Sequence, residues 1–160
     1  MTFRPAPAPA PTRNSRATVD VVLTVASYND AIISEFRANG GKVGGSWEGR
    51  DLLLLTTAGR KTGRRSTTPV AFVRDGDRLL VFGSHGGAPD HPDWFKNLVA
   101  DPRVTVEVGQ EGYQATATPL EGQERDRRFA EQVQRSPQFG EYARRAAPRV
   151  IPVVALERDS

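Results

Sequence analysis

The stretch Pro69-Val70-Ala71-Phe72-Val73-Arg74-Asp75-Gly76-Asp77-Arg78-Leu79-Leu80-Val81-Phe82 decides the fold. Two apolar runs flank an Asp-Gly pair, and such a pair between strand-like runs signals a tight hairpin. The spacing predicts antiparallel strands over 69–74 and 78–82, which argues against a doubly wound parallel sheet. Upstream, Leu52-Leu53-Leu54-Leu55-Thr56-Thr57 predicts another strand, and four consecutive leucines suit one covered on both faces. Downstream, Val104, Val106 and Val108 alternate along a strand over 103–108. Gly109 to Gly112 turns the chain, and residues 113–118 alternate back as a second hairpin. Val150 to Leu156 predicts a last strand, in which Pro152 favours an edge or a bulge.

Helical signals surround these strands. From Thr18 to Ala38, Val19, Val22, Ala26, Ile33 and Phe36 fall near one stripe, and Gly40 and Gly41 close it. A short helix is expected over 92–100, with Asp90 or His91 near its cap. A charged surface helix is expected over 121–135, with Phe129 and Val133 as an i,i+4 pair, and a further short helix after Pro137. Five or six mainly antiparallel strands with peripheral helices make an α+β fold, a small barrel or sandwich. Pro5, Pro7, Pro9 and Pro11 alternate with alanine, so residues 1–17 are expected to be a disordered tail ahead of one domain over 18–160.

Composition narrows the function classes. The 160 residues include no cysteine, which removes disulfides, thiolate nucleophiles and Cys-based metal sites. The net charge of +3 equals that of the tail, with Arg4, Arg13 and Arg16 and no acid. The remainder balances 19 basic against 19 acidic residues, which argues against a nucleic-acid partner. No secretory apolar region and no run of about 18 apolar residues occurs, so the expected location is the cytoplasm. The amphipathic helix over 18–38 leaves room for a peripheral membrane contact, although its acidic polar face would attract anionic lipid little.

Two segments concentrate chemistry. Between Asp51 and Arg74 there is no acid, yet Arg60, Lys61, Arg64 and Arg65 lie within six positions beside Gly59 and Gly63. A loop of this kind offers cations and backbone N–H groups to a multiply charged anion; a solvated hairpin tip is the plainer reading. It is not a nucleotide-phosphate loop of the Gly-Lys-Ser/Thr type. The second segment, Phe82-Gly83-Ser84-His85-Gly86-Gly87-Ala88-Pro89-Asp90-His91-Pro92-Asp93-Trp94-Phe95-Lys96-Asn97, joins a strand to a helix through glycines that let a flat ligand approach the backbone. His85 and His91, six apart without cysteine, match any metal spacing only weakly, so no metal is expected. No carboxylate pair or nucleophile motif points to hydrolysis; an enzyme built from these residues would rely on a bound cofactor.

In order along the chain, Gly40-Gly41-Lys42-Val43-Gly44-Gly45, the Leu-Leu-Leu-Thr-Thr-Ala-Gly-Arg-Lys-Thr-Gly run, Arg-Asp-Gly-Asp, the Gly-Gly-Ala-Pro-Asp-His-Pro-Asp-Trp-Phe-Lys-Asn-Leu run and Arg149-Val150-Ile151-Pro152-Val153-Val154 resemble the deazaflavin-dependent nitroreductase family of actinobacteria. The likeness spans about residues 28–158. The resemblance implies a split β-barrel and a hydride transfer from reduced coenzyme F420 to an electron-poor acceptor: a quinone, a nitroaromatic or an activated enone. It implies that Arg60, Lys61 and Thr62 grip the phosphate and oligoglutamate tail of F420. Ser66, Thr67, Thr68, Pro69, Val70 and Ala71 would line the cofactor, as would Phe82, Gly83, Ser84 and His85 in the glycine turn. Asp93, Trp94, Phe95, Lys96 and Asn97 would lie along the deazaflavin. Where relatives carry Tyr-Pro-x-Tyr-x-x-Tyr, this chain has Ser136, Pro137, Phe139 and Tyr142. Phe139 keeps an aromatic wall without the hydroxyl, and Ser84 and Tyr142 remain as candidates to hydrogen-bond the acceptor. Two alternatives stay open: a non-catalytic carrier of F420 or another anionic ligand, and an FMN-binding barrel. FMN, with one phosphate, makes less use of four clustered cations.

Overall fold

The computed structural model describes residues 17–47 and 49–159. Of the tail expected over 1–17, residues 1–16 lie outside that range, and Ala17 already opens helix α1 (Ala17–Ala38). The hairpin that decides the fold is formed by β2 (Arg65–Asp75) and β3 (Arg78–Phe82), joined by Gly76 and Asp77 and paired Asp75 with Arg78 through Phe72 with Val81. Strand β1 (Leu52–Ala58) pairs antiparallel with β2 on one side. On the other it meets β4 (Arg103–Val108), which forms the second hairpin with β5 (Glu111–Pro119). Strand β6 (Val153–Arg158) enters between β3 and β5. The order β1-β2-β3-β6-β5-β4 closes on itself as an antiparallel barrel, so the α+β split-barrel expectation holds.

Two boundaries differ from expectation for backbone reasons. Pro152 stands just before β6 rather than inside it, and β6 is an interior strand of a closed barrel, not an edge. Its carbonyl accepts a hydrogen bond from the Gly83 amide, so the residue that lacks an N–H is placed where only an acceptor is used. The second hairpin turns tightly at Gly109 and Gln110, and pairing starts at Glu111, because Glu111 and Gly112 already register with Val108 and Glu107.

Strand alternation divides the core into three. Leu53, Leu55, Val70, Phe72, Leu79, Val81, Val104, Val106, Val154 and Leu156 fill the barrel. Helix α2 (Asp93–Ala100) adds Trp94 and Leu98 to that cluster. The opposite faces of β3 and β6, with Leu80, Phe82, Val153 and Ala155, are covered by Phe129 of α3 (Gly122–Arg135) and by Phe139 and Ala146 of α4 (Gln138–Ala146). The opposite face of β1, Leu52 and Leu54, lies under Ile32 and Phe36 of α1. All four leucines are buried, as a strand covered on both faces requires. Of the expected α1 stripe, Phe36 is buried and Ile33 only half-buried, while Ile32, outside that stripe, is buried beside Phe36; the side chains of Val19, Val22 and Ala26 are outside what is described. A two-bond pair from Arg37 to Glu107 of β4, at 2.9 and 2.8 Å, ties the end of α1 to the barrel.

Candidate active site

A cleft of about 650 Å³ opens between the middle of β2, the end of β3 and helices α2 and α4. That volume lies within the ~300–1,000 Å³ usual for small-molecule and cofactor sites. Pro69, Val70 and Ala71 form one wall because β2 runs past the mouth of the barrel there. Phe82, Ser84 and His85 follow where β3 leaves the sheet, Trp94 comes from α2, and Phe139 and Tyr142 from α4. Phe139 packs edge-on to both Phe82, at 5.7 Å, and Tyr142, at 5.3 Å between ring centroids, which makes this wall rigid and aromatic. Ser84 Oγ and the Tyr142 hydroxyl find no hydrogen-bond partner among the described residues. Two polar tips in an aromatic cleft are groups that a ligand can satisfy.

The loop that presents Ser84 and His85 is held by an arginine. Arg149 donates to the carbonyls of Gly83 at 3.1 Å, Ser84 at 3.0 Å and Ala88 at 3.0 and 2.7 Å, and approaches His91 Nδ1 at 2.9 Å. Burial, and then the positive charges of Arg149 and Lys96, hold the His91 pKa below its ordinary value. Burial also lowers that of Arg149. His91 does not cap α2; Pro92 occupies that position, without a side-chain cap bond. Asp90 does not cap it either: its carbonyl meets His85 Nδ1 at 3.0 Å. Gly87 is required where the loop meets α4, since a Cβ there would lie 2.9 Å from Arg145 Cβ and 3.1 Å from the Tyr142 carbonyl oxygen.

The basic loop lies beside α2 rather than in the cleft. Arg60 donates to Asn97 Oδ1 from its backbone at 3.2 Å and from its guanidinium at 2.8 Å, and it pairs with Asp93 at 3.3 Å. Asn97, buried, also donates to Thr57 Oγ1 of β1 at 3.1 Å. Asn97 therefore fastens the loop to β1 and α2. Thr62 Oγ1 accepts from the Arg64 amide and shapes the turn. Arg65 is already on β2 and donates to Thr105. Lys61 and Arg64 have no carboxylate partner among the described residues, so their charges are free for an anion.

Several expected contacts are placed elsewhere. Ser66, Thr67 and Thr68 lie at the other end of β2, in a recess with Asn29, Asp30 and Ile33 of α1. Gly83 is packed against Pro152, and Phe95 lies against His91 in a tilted arrangement, ring centroids 4.8 Å apart. Asp93, Lys96 and Asn97 sit on α2 outside the cleft lining. Conversely, Trp47, Arg50, Gln132 and Arg135 line the cleft without having been singled out. Gln132 is buried three residues after Phe129, a helical spacing that could have drawn attention to it. Trp47 and Arg50 sit in a glycine-rich segment, where only the presence of a tryptophan in a loop signalled a role. Among the described residues, no group of three or more metal-ligating side chains comes together.

The closed antiparallel barrel with a cleft of this size at its side defines a small-molecule-binding scaffold. The model of the F420H(2)-dependent quinone reductase family matches residues 31–158, and the chain belongs to that family. An F420H(2)-dependent quinone reductase of Mycobacterium tuberculosis is 36% identical over 134 residues, covering 81% of this chain and 87% of the relative. A solved F420-H2 dependent reductase superposes with a TM-score of 0.60 at 35% identity, covering 68% of this chain and 95% of that one. A second solved chain, described as a domain-swapped dimer, superposes at 0.62 with 30% identity, covering 88% and 99%. The chain is accordingly an F420H2-dependent oxidoreductase, and its reaction class is hydride transfer from F420H2 to a quinone-type acceptor.

Proposed function

We propose that the cleft receives the flat deazaflavin ring of coenzyme F420 together with the acceptor, and that the 60–65 loop receives the phosphate and oligoglutamate tail. The carrying observation is that Ser84 Oγ and the Tyr142 hydroxyl, without a hydrogen-bond partner among the described residues, line the same cleft as Phe82, Trp94 and Phe139. The donor set suits the group: aromatic and apolar walls for a ring, and cations at Lys61 and Arg64, without a carboxylate partner among the described residues, for a polyanion. FMN fits that loop less well, because a single phosphate leaves much of its charge unmatched.

The cofactor supplies a hydride from its reduced ring carbon. The protein's residues do the remainder. Phe82, Trp94 and Phe139 exclude water and hold a ring plane, which lowers the entropy cost of bringing donor and acceptor together. In this reading Ser84 and Tyr142 donate hydrogen bonds to the acceptor oxygen as negative charge grows on it, and the Tyr142 hydroxyl is the group that passes a proton. Arg50 and Arg135, both lining the cleft, add positive potential for the same charge. Nitroaromatics and activated enones, also electron-poor at the receiving atom, extend the acceptor range. Within this reading Ser66, Thr67 and Thr68 shape β2 rather than touch the ring, and residues 18–160 act as one domain in the cytoplasm.

Purified protein should quench or shift F420 fluorescence at micromolar concentration and oxidise F420H2 with a quinone panel. Binding of FMN without F420 would end this reading, and binding of F420 without turnover would favour a carrier. No helix among the described residues is long and apolar enough to cross a membrane. A membrane-surface role for α1 is tested by liposome co-sedimentation of chains lacking residues 1–16 and 1–27, the second removing the first half of α1 while keeping Ile32 and Phe36 in the core; equal sedimentation of the two would rule the role out.

A further inference from the structure

We propose that Arg149 is a positioning residue for hydride transfer: it sets the shape of the Gly83–His91 loop, and so the placement of Ser84, with His91 as the switchable member of its acceptor set. The inference rests on the reading of the cleft given above. A guanidinium has five N–H donors and no acceptor. Here Nε serves Ala88, one terminal nitrogen serves Gly83 and His91, and the other serves Ser84 and Ala88, so every donor has an acceptor.

The loop needs such a clamp. His85, Gly86 and Gly87 are consecutive residues in the left-handed region, at φ of 49°, 62° and 85°. A histidine there is strained, and strain of this kind persists only where the surroundings over-determine the conformation. The clamp also transmits to the other wall. Gly87 packs directly on the backbone of Tyr142, so a shift of the loop moves Ser84 and unseats the neighbour of Tyr142 together.

His91 makes the clamp conditional. Arginine cannot accept, so at 2.9 Å from it Nδ1 must be the acceptor, and His91 is held as the neutral tautomer with its proton on Nε2. Protonation would remove that acceptor and set two cations against each other. Besides Arg149, Lys96 on α2 disfavours the imidazolium, while the adjoining Asp90 carboxylate favours it. Phe95 covers the ring from the helix. In the folded protein His91 thus takes up its proton below the ordinary imidazole range.

The chain has only two histidines, so their imidazole C–H resonances can be followed through a pH titration of the intact protein. In the wild type, one histidine should titrate below pH 6.5, and amide exchange at 84–88 should quicken across the same range. Arg149→Met should raise that histidine's pKa and quicken exchange at neutral pH. Arg149→Lys, which keeps the charge but not the planar five-donor fork, should lower kcat with quinone about tenfold. His91→Asn retains an acceptor that does not titrate, so it should flatten the acid limb of kcat/KM while remaining active at pH 7.5.

An unshifted histidine in Arg149→Met, or an acid limb identical in wild type and His91→Asn, overturns the proposal. If Arg149→Met fails to fold, Arg149→Lys and His91→Asn still decide it. The NMR and exchange readouts do not depend on F420, so failure of F420 to bind would sink the functional reading and leave the clamp separately tested.

Discussion

Asn97→Ala tests the link between the barrel and the cationic loop. The change removes three hydrogen bonds, one to Thr57 and two from Arg60. The Thr57 side chain, on a residue only 1% exposed, gains no water in exchange. Orphaning a buried hydroxyl costs about 1–3 kcal/mol, and a solvated hydrogen bond contributes about 0.5–1.5 kcal/mol. The Arg60 side chain is 30% exposed and rehydrates, so its share lies at the lower end. The sum is about 2–4 kcal/mol, or a fall in Tm of about 5–15 °C for a chain of this size. Thermal melts by circular dichroism measure it directly. The orphan argument makes a second demand: Thr57→Val added to Asn97→Ala should recover about 1 kcal/mol, because both members of the pair are then apolar. Released from Asn97, the loop should also bind long-tailed F420 several-fold more weakly, while a tail-free deazaflavin is little affected. A Tm within 2 °C of the wild type, or no recovery in the double variant, would refute the assignment of Asn97 as a structural fastener.

Charge reversal of Lys61 and Arg64 should weaken long-tailed F420 by more than tenfold at low salt, an effect that added salt reduces; equal loss for a tail-free deazaflavin would count against the tail site. Ser84→Ala and Tyr142→Phe should each lower kcat with quinone by about tenfold, the scale of one lost hydrogen bond in the transition state, with F420 affinity nearly unchanged; unaltered turnover in both would remove them from the reaction. Leu54→Ala, deep under α1, should cost about 3–5 kcal/mol in urea unfolding, and a loss below 1 kcal/mol would mean that α1 does not cover β1 as described. Hydrogen bonding from Arg78 and the nearby charge of Arg128 hold the Asp75 carboxyl below its usual range. That stabilisation is present above the unfolded carboxylate pKa and is lost as pH falls through the folded one. Asp75→Asn should therefore flatten the acid arm of the Tm-against-pH curve, and an unchanged arm would discount the pair.

The strands were legible because their signals are local. Asp75, Gly76 and Asp77 between two apolar runs specify a hairpin wherever it is placed, and four leucines in a row need cover on both faces. The start of β6 was harder: Val150 to Leu156 is one apolar run, and only the pairing partners show that the ladder begins after Pro152. The site divides in the same way. Ser84, Trp94, Phe139 and Tyr142 could be named from their motifs, and they do meet in one cleft. Ser66, Thr67 and Thr68 share a strand with Pro69, Val70 and Ala71, yet β2 is long enough that its start and its middle serve different recesses.

The residue pattern by itself determined an α+β fold of antiparallel strands, barrel or sandwich, and a neutral domain with one acid-free cationic loop; the family resemblance implied the split barrel and its redox chemistry. Periodicity, turn residues and charge are properties of neighbours in sequence. Only the tertiary structure decided how the cations are used. Arg60 is bound to Asn97 and Asp93, Arg65 to Thr105, and Lys61 and Arg64 have no carboxylate partner among the described residues, because α2 and β4 pack where they do. It also decided the role of Arg149, whose acceptors lie some sixty residues earlier in the chain. A guanidinium surrounded by carbonyls is fixed by the close approach of two distant loops, and such an approach leaves no mark in the local pattern of either.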